Sequence, residues 1–504
     1  MTATPDGPPD AAPSPGAVAK GTPVPTAPGA LPLLGHALPL LRDPVGLLQS
    51  IRAYGDIVRV RIGPAQVYVL NSPALVRQVL AADVETYRKG TFNERFRPYQ
   101  GDSLFTIDGP GHRRRRRVVQ PAFHRDRLKT YAEVMREVAA TRCAGWTEGR
   151  PIDVGAEMYA LTSEVVARVL FGGEIGSERI ARIQRWLPVF VRGMGRKVVT
   201  PAGWLDRLPI PANRRFDAAQ HGLRTLVDGL VREQIAARGP VRESGKAGEA
   251  GEAGGEGRQG GRGGRERGDL LSLLVGSRDP ESGRPLSATQ LRDETMTFMT
   301  AGIETVATTL TWLHHELAVH PEVRTRLLAE VDTALGGRPA GFDDLPSLPY
   351  TRSVVRETLR LHSPAWMLTR RPTAPVRLGT ALLPAGAELL FSPATLHRDP
   401  AIYPRPAEFL PGREHEESGT APCGHGGDRP ADAARPPYLP FSTGPYKCVG
   451  DHFALTQLAL TVATLAQRWR LESASARAPR EIAGAALSPD RVVMTPRQRD
   501  HQAV

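Results

Sequence analysis

The chain has 504 residues, of which 40% are hydrophobic and 23% charged, so a large folded core is expected and wholesale disorder is excluded. Its three cysteines, Cys143, Cys423 and Cys448, are too far apart for a disulfide framework or a Cys-x-x-Cys metal pair, which favours a reducing, cytoplasmic setting. No run reaches the roughly 18 to 20 apolar residues that a membrane-spanning helix needs, so we predict no membrane span.

The formal charge of +12 comes mostly from arginine, and the densest cluster is the run from Arg113 to Arg117. Such a run is one mark of nucleic-acid binding. The aromatic or Gly/Ser pattern of a nucleic-acid-binding module does not accompany it, so we predict no nucleic-acid partner.

Three stretches are predicted to be disordered or flexible because they offer little apolar surface to bury. Residues 1–27 form a Pro/Ala-rich N-terminal tail. Residues 239–269 and 413–437 are Gly-rich and charged inserts within the domain that follows. The second insert contains Cys423 and two histidines, but their spacing matches no zinc pattern, which favours a flexible loop.

Periodicity predicts a fold that is mainly α with a small β part. Alternating β-branched and polar residues on either side of a Gly-Pro turn predict a hairpin at 55–71. Apolar positions at three- and four-residue steps predict helices at 72–82, 125–147, 157–171, 216–237, 269–277, 287–317, 321–335 and 349–361.

Cys448 lies in YLPFSTGPYKCVGDHFALTQLAL (438–460), between a turn rich in Gly and Pro and an apolar helical run. A thiolate that binds a metal must be fixed in place and surrounded by hydrogen-bond donors. Gly444 and Gly450 permit close approach of backbone N–H groups to the sulfur, and a helix that begins near Gly450 directs its positive end towards the anion. The alternative is a buried cysteine that acts as a small hydrophobic residue.

The pattern F-x-x-G-x-x-x-C-x-G, present as Phe441, Gly444, Cys448 and Gly450, resembles the heme-ligand signature of the cytochrome P-450 superfamily. The resemblance covers residues 28–500 and implies a single domain with the cytochrome P-450 fold. It implies that Cys448 is the metal ligand to the iron of heme b (iron protoporphyrin IX). Phe441, Gly444 and Gly450 are then cofactor-binding residues.

Glu357 and Arg360 of ETLR lie three residues apart and therefore on one helix face. Such a pair is a weak signal alone, but Phe409 and Arg413 of FLPGR resemble the segment that accompanies it in the family. The resemblance implies a buried triad of Glu357, Arg360 and Arg413 with a structural role.

The apolar segment 298–321 contains Ala301-Gly302 followed by Glu304-Thr305. A glycine within a helix costs about 1 kcal/mol relative to alanine, so a compensating role is expected. The resemblance implies that Ala301 and Gly302 leave room for heme and dioxygen, and that Glu304 and Thr305 are a catalytic acid–alcohol pair that guides protons. The alternative for Thr305 is a hydrogen bond to the carbonyl four residues earlier.

In DGPGHRRRRRVVQPAF (108–123), His112 and Arg116 resemble the family's His-x-x-x-Arg, which grips the heme propionates. Arg370 is a further candidate for a propionate contact and is favoured over Arg371. The resemblance also implies that the neighbouring arginines form a basic face on which an acidic electron donor docks.

Two positions depart from the family's pattern. Tyr446 stands two residues before the cysteine, where a basic residue often contacts a propionate, and Ser442 replaces a glycine. We therefore predict no salt bridge at Tyr446 and interpret Lys447 as an exposed lysine.

The substrate pocket is expected to be lined by residues 91–107, by Phe298 and Met299, and by 364–369. These residues are mostly apolar, which favours a compact hydrocarbon-like substrate.

Three segments, at 207–219, 364–371 and 451–460, are similar to bacterial sesquiterpene oxygenases of the albaflavenone and pentalenene pathways. The resemblance implies a heme-thiolate monooxygenase that inserts one atom of O2 into a terpene, most simply a sesquiterpene hydroxylase of secondary metabolism. It implies electrons from NAD(P)H, delivered by a ferredoxin and a ferredoxin reductase, and a monomer.

Three other functions stay open at this point. The first is a non-catalytic heme-thiolate sensor or binding protein, which does not need the Glu304-Thr305 pair. The second is a peroxide-driven oxygenase, which typically lacks that pair. The third is a nucleic-acid-binding protein that uses the arginine run, for which steeply salt-dependent binding without heme is the expected sign.

Overall fold

The computed structural model describes residues 22–199, 208–238, 268–413 and 437–499. The predicted tail up to residue 21, most of the two predicted inserts and Cys423 lie outside these residues. Residues 22–27 are described, and buried Ala27 donates its backbone N–H to Arg59. The ordered chain therefore begins before the boundary predicted at residue 28.

Helices make up most of the described chain, which confirms the prediction of a mainly α fold. They are α1 (Ala37–Arg42), α2 (Pro44–Ser50), α3 (Pro73–Ala81), α4 (Thr91–Glu94), α5 (Arg97–Gln100), α6 (Gly109–Val119), α7 (Arg125–Ala144), α8 (Val154–Phe171), α9 (Ser177–Val199), α10 (Pro211–Arg238), α11 (Leu270–Gly276), α12 (Ala288–Val319), α13 (Pro321–Leu335), α14 (Pro349–Leu361), α15 (Pro393–Leu396) and α16 (Asp451–Arg468).

The small β part consists of β1 (Ile57–Ile62), β2 (Ala65–Leu70), β3 (Tyr87–Lys89), β4 (Ile152–Asp153), β5 (Leu368–Pro372), β6 (Val376–Leu378), β7 (Ala381–Leu383), β8 (Glu388–Phe391), β9 (Trp469–Ser473), β10 (Glu481–Ala483), β11 (Leu487–Pro489) and β12 (Val493–Gln498). The largest sheet has the order β1-β2-β8-β5-β3, in which β2 and β8 are parallel and the other neighbours antiparallel. A second sheet has the order β4-β12-β9. The antiparallel pair β1 and β2 confirms the predicted hairpin.

Helix α12 runs through the interior of the helical part. Ser287 and Gln290 form a reciprocal capping box at its start, with N···O distances of 3.2 and 3.0 Å. Most of its 32 residues are buried, and they occupy every face of the helix. Asp269, which was predicted both to end the first insert and to begin the helix at 269–277, caps α11 by accepting a hydrogen bond from the backbone N–H of Ser272.

Helices α8 and α12 pack antiparallel. A Cβ added to Gly155 would contact Thr311 at 3.9 Å, and one added to Gly302 would contact Val166 at 3.5 Å. Helix α16 packs on α7, α12 and α14. Because α16 begins at Asp451, the loop that precedes it is held against this helical core.

The predicted triad is confirmed. Both carboxylate oxygens of Glu357 accept hydrogen bonds from Arg360, at 2.8 and 2.9 Å, and one also accepts from Arg413 at 3.3 Å. All three side chains are buried, and the remaining guanidinium donors reach the backbone carbonyls of His397 and of residues within 404–408. Arg413 therefore belongs to the core, although it was predicted to begin the second insert.

Candidate active site

The loop before α16 has a backbone that only particular residues allow. Gly444 has a φ of 71°, and a Cβ at this position would collide with the carbonyl oxygen of Leu80. Both the left-handed conformation and the close approach therefore require glycine. The N–H of Cys448 donates to the carbonyl of Phe441 at 2.9 Å, which closes the loop around the cysteine.

The Cys448 side chain is exposed to solvent, although many protein atoms lie around it. Burial raises the pKa of Cys448 to about 11, while a hydrogen bond from the Gly450 N–H and the charge of Arg116 act in the opposite direction. Without a further cation the thiol is protonated at neutral pH. A bound metal ion would deprotonate it, because a coordinating cation stabilises the thiolate.

Cationic side chains surround the ring of Tyr446, close to this loop. The Nζ of Lys89 lies 5.1 Å from the ring centroid and the guanidinium carbon of Arg370 lies 4.8 Å from it. The His112 ring lies 4.6 Å away, centroid to centroid. Arg116 donates a hydrogen bond of 2.5 Å to the carbonyl of Lys447.

This cationic cluster consists of Lys89, Arg116 and Arg370, with the neutral ring of His112 beside them, and the charge of Asp108 opposes the effect of burial at Lys89 and Arg370. Arg370 is buried and forms no ion pair with any residue that the structure describes. Burial lowers the pKa of Arg370 to about 10 and that of His112 to about 2, the latter with help from the neighbouring cations. Isolated buried charge is costly, so the cluster fits an anionic ligand such as the propionates of heme.

Lys89 is a residue that the sequence analysis missed. Its ammonium donates to the backbone carbonyls of Leu104, Ile107 and Phe105, at 2.6, 2.9 and 3.0 Å. Burial lowers the pKa of Lys89 to about 7, although the charge of Asp108 opposes the shift. Lys89 therefore fixes the chain that leads into α6 and also adds to the positive potential of the cluster.

The middle of α12 contains the residues predicted to leave room for heme and dioxygen and to guide protons. Ala301 is exposed, and a Cβ on Gly302 would meet only Val166 at 3.5 Å, so packing within the protein does not require small residues there. The hydroxyl of Thr305 donates to the carbonyl of Ala301 at 2.7 Å, as the alternative for Thr305 predicted. Burial raises the pKa of Glu304 to about 7.

Two phenylalanines connect α12 to the cysteine loop. Phe123 lies edge-on to Phe298, with ring centroids 5.5 Å apart. A Cβ on Gly450 would lie 3.6 Å from the Phe123 ring. The region of Ala301 to Thr305, which begins one helical turn after Phe298, therefore lies near the cysteine loop.

Hydrogen bonds attach the predicted pocket segment 91–107 to α12. Gln100 donates to the hydroxyl of Thr300 at 2.9 Å, and the N–H of Leu104 donates to the carboxylate of Glu294 at 2.8 Å. Arg115 donates to the same carboxylate at 2.6 Å, in a buried ion pair that the sequence analysis did not predict. Arg115, the central residue of the arginine run, thus holds the segment in place.

Two residues of the predicted pocket lining lie in the core. Met299 is fully buried in the main apolar cluster. Trp366 is also buried, and its indole N–H donates to the carbonyl of Gly484 at 3.1 Å. Both side chains are therefore core, whereas Phe298 packs only partly against that cluster.

Three other arginines of the run lie close to carboxylates, so their positive charges are partly neutralised. Arg113 pairs with Asp83 at 2.7 Å, and Arg117 pairs with Glu281 at 3.0 Å. Arg114 lies 3.7 Å from the same glutamate. This surface therefore carries mixed charge rather than a continuous positive field.

The family model described as Cytochrome P450 matches residues 25–502. The chain belongs to the cytochrome P450 family. It is 41% identical to a cyclooctatin synthase and 39% identical to a cyclooctat-9-en-7-ol 5-monooxygenase, both of Streptomyces melanosporofaciens, over 88% of this chain and 89% of each relative. It is 37% identical to a pentalenene oxygenase of Streptomyces avermitilis, over 88% of this chain and 91% of the relative.

This P450 is a monooxygenase that uses heme, O2 and electrons from a redox partner, and it acts on an apolar substrate. Among the helices that the structure describes, none is long and apolar enough to cross a membrane.

Proposed function

We propose that this P450 hydroxylates a terpene in secondary metabolism and that it binds heme b through Cys448. The observation that supports the cofactor proposal best is the cationic cluster. Its member Arg370 has no carboxylate partner among the described residues, and the cluster lies beside Cys448, which its loop holds in place. The proposal for the substrate rests on three relatives at 37 to 41% identity, which are named as a cyclooctatin synthase, a cyclooctat-9-en-7-ol 5-monooxygenase and a pentalenene oxygenase.

Each predicted site residue has a role in this proposal. The Cys448 thiolate ligates the iron, and Phe441, Gly444 and Gly450 shape the loop that presents it. Arg116 and Arg370 hold the propionates with charge-assisted hydrogen bonds, and neutral His112 donates one N–H. A heme held by these residues would supply the chemistry that activates dioxygen, with the Cys448 thiolate as a donor to its iron.

Glu304 and Thr305 deliver protons in this proposal. A carboxyl group with a pKa of about 7 is suited to both giving and taking a proton at neutral pH. Thr305 donates to Ala301 in the structure, so its hydroxyl must break this hydrogen bond to turn towards a ligand. Ala301 and Gly302 leave the helix surface open at the same level.

A ferredoxin and its reductase are proposed as the electron donors. The docking surface is the mixed face around Arg113 and Arg117, together with Lys447, which pairs with Asp451 at 2.8 Å. A ferredoxin must then compete with carboxylates already present, so salt is expected to weaken docking only moderately. The monomeric state, the cytoplasmic location and a sesquiterpene substrate in particular stay predictions.

The test is turnover of the heme-loaded protein with a ferredoxin, a reductase and NADPH on a panel that includes pentalenene and cyclooctat-9-en-7-ol. Mass spectrometry with isotopically labelled dioxygen is expected to show a product that contains one labelled oxygen atom. A spectral shift on terpene addition without any product would instead support the sensor. A labelled product from fatty acids alone would overturn the terpene proposal and leave the monooxygenase.

A further inference from the structure

Five leucines near the N-terminus are unusually exposed. Leu33 is 88% exposed, and the exposed fractions of Leu31, Leu34, Leu38 and Leu41 lie between 38% and 55%. Leu38 and Leu41 are three residues apart on α1 and share one helix face. These five side chains, called the leucine patch below, all lie within residues 31–41, so their exposure is concentrated in one short segment instead of being scattered over the surface.

The turn at the centre of the patch is held rigidly and under strain. Leu31 and Gly35 exchange backbone hydrogen bonds of 2.8 and 2.9 Å, and a Cβ on Gly35 would collide with the backbone of Arg61. Leu33 has a φ of 61°, a conformation that costs a non-glycine residue on the order of 1 kcal/mol. Neither the conformation nor the exposure of Leu33 stabilises the fold. The stability of the fold therefore does not explain why a leucine occupies this position.

The charged side chains beside the patch are mainly cationic. Arg42 ends α1 and Arg61 lies beneath the turn; both are exposed and form no ion pair with another described residue. The nearest carboxylate in sequence, Asp43, accepts a hydrogen bond from the backbone N–H of Gly46 at 2.9 Å. The patch thus combines apolar side chains with unpaired positive charge.

Two other occupants fit this surface less well. Residues 1–21 contain only Met1 and Val18 as large apolar side chains, which is too little to cover five leucines. A second copy packed symmetrically would bring the positive charges of Arg42 and Arg61 from both chains into one interface. An anionic lipid surface offers an apolar layer for the leucines and phosphates for the arginines. We propose that the leucine patch docks this P450 on an anionic membrane surface, with the leucines inserted among the lipid headgroups.

The experiment measures co-sedimentation of the heme-loaded protein with vesicles of phosphatidylcholine, with and without phosphatidylglycerol. The wild type binds the anionic vesicles. The double change Leu33→Ser and Leu34→Ser lowers its partitioning by roughly tenfold or more, because two apolar side chains no longer insert. The double change Arg42→Gln and Arg61→Gln lowers binding to the anionic vesicles by roughly fivefold per arginine and removes most of the salt dependence.

Two further variants test whether vesicle binding depends on the leucine patch in particular. Val319→Ser alters a lone exposed valine at the end of α12 and leaves vesicle binding unchanged. Leu33→Gly weakens vesicle binding but raises the free energy of unfolding, because glycine adopts the φ of 61° without strain.

The proposal is overturned if the wild type binds neither type of vesicle, or if the leucine variant binds as well as the wild type. It is also overturned if the wild type forms a dimer that the leucine variant abolishes while no vesicle binding occurs, since the patch is then an interface between two copies. Each outcome is independent of turnover, so it leaves the proposed reaction untouched.

Discussion

The Arg116 guanidinium donates a hydrogen bond to the backbone carbonyl of Lys447, the residue directly before Cys448. Through this contact α6 and the cysteine loop, which are separated by more than 300 residues, form one side of the candidate site. The charge of Arg116 favours the Cys448 thiolate, and Arg370 and His112 lie on the same side around Tyr446. The residue proposed to ligate the iron and those proposed to hold its propionates thus lie on the same side of the candidate site.

Arg370→Gln is expected to weaken heme binding by roughly tenfold or more, because a charge-assisted contact to a propionate is lost. The same change is expected to leave the apoprotein as stable or more stable, since an unpaired buried charge disappears. Heme content from the Soret absorbance and urea unfolding of the apoprotein measure the two effects.

Arg371→Gln is the matched control for Arg370→Gln. Arg371 pairs with Glu94 and Glu388 and faces away from the cationic cluster. Its replacement is therefore expected to lower the free energy of unfolding by up to about 1 kcal/mol and to leave the heme content unchanged. Equal heme loss from both variants would contradict the assignment of Arg370.

Glu357→Gln is expected to destabilise the protein by about 3–5 kcal/mol, because it leaves Arg360 and Arg413 buried without their carboxylate. Urea unfolding of the heme-loaded protein measures this loss. The control Glu408→Gln removes an exposed pair with Arg405 and costs about 1 kcal/mol or less. If Glu357→Gln does not fold, Glu357→Asp is expected to show an intermediate loss; a loss no larger than that of the control would contradict the triad's role.

Thr305→Ala is expected to uncouple turnover, so that NADPH is consumed and hydrogen peroxide accumulates in place of hydroxylated product. The ratio of product to NADPH, with peroxide assayed in parallel, measures the coupling. Thr309→Ala is the control, since Thr309 makes the same kind of hydrogen bond, to the carbonyl of Thr305 at 2.8 Å, one turn further along α12. Unchanged coupling in Thr305→Ala would exclude a proton-delivery role for its hydroxyl.

The coupled rate is expected to fall as pH rises through about 7, because burial raises the pKa of Glu304 to about 7 and the proton-donating form is then lost. Glu304→Gln is expected to slow turnover by roughly 10²-fold or more and to remove this inflection. A pH profile of product formation for the two proteins tests the assignment, and an inflection that persists in Glu304→Gln would assign it to another group.

Glu481 is expected to make stability sensitive to acid. Burial opposes its ionisation, but hydrogen bonds from Arg398 and His362 outweigh burial and lower its pKa from 4.5 to about 2. Because the folded-state pKa is depressed, this stabilisation is present above pH 4.5 and is lost as pH falls towards 2. Urea midpoints are expected to converge for wild type and Glu481→Gln on acidification, and a gap that stays constant would contradict this explanation.

The sequence predicted the parts of the site that depend on short local patterns. Gly444 and Cys448 belong to one loop, and the structure shows why glycine is required at residue 444. The hairpin at 55–71 was predictable from alternation, which fixes which side chains share a face. The triad around Glu357 was predicted through the resemblance of ETLR and FLPGR to the family's segments, since helical spacing alone is a weak signal for it.

Other features depend on long-range packing that no local pattern reveals. Nothing in the sequence around Lys89 or Glu294 distinguishes them from surface charges, yet both are buried because chain segments distant in sequence cover them. Met299 and Trp366 are apolar, and apolar character alone does not separate a pocket wall from a core. The order of residues 22–27 likewise depends on pairing with β1, whose partner the sequence does not specify.

The most direct test of the account is the absorbance spectrum of the heme-loaded, reduced protein under carbon monoxide, compared with that of Cys448→Ser. The wild type is expected to show a strongly red-shifted Soret band, which reports a thiolate ligand, and the variant is expected to show no such band. A wild-type protein that binds heme yet shows an unshifted band, or a variant that keeps the shifted band, would contradict ligation through Cys448.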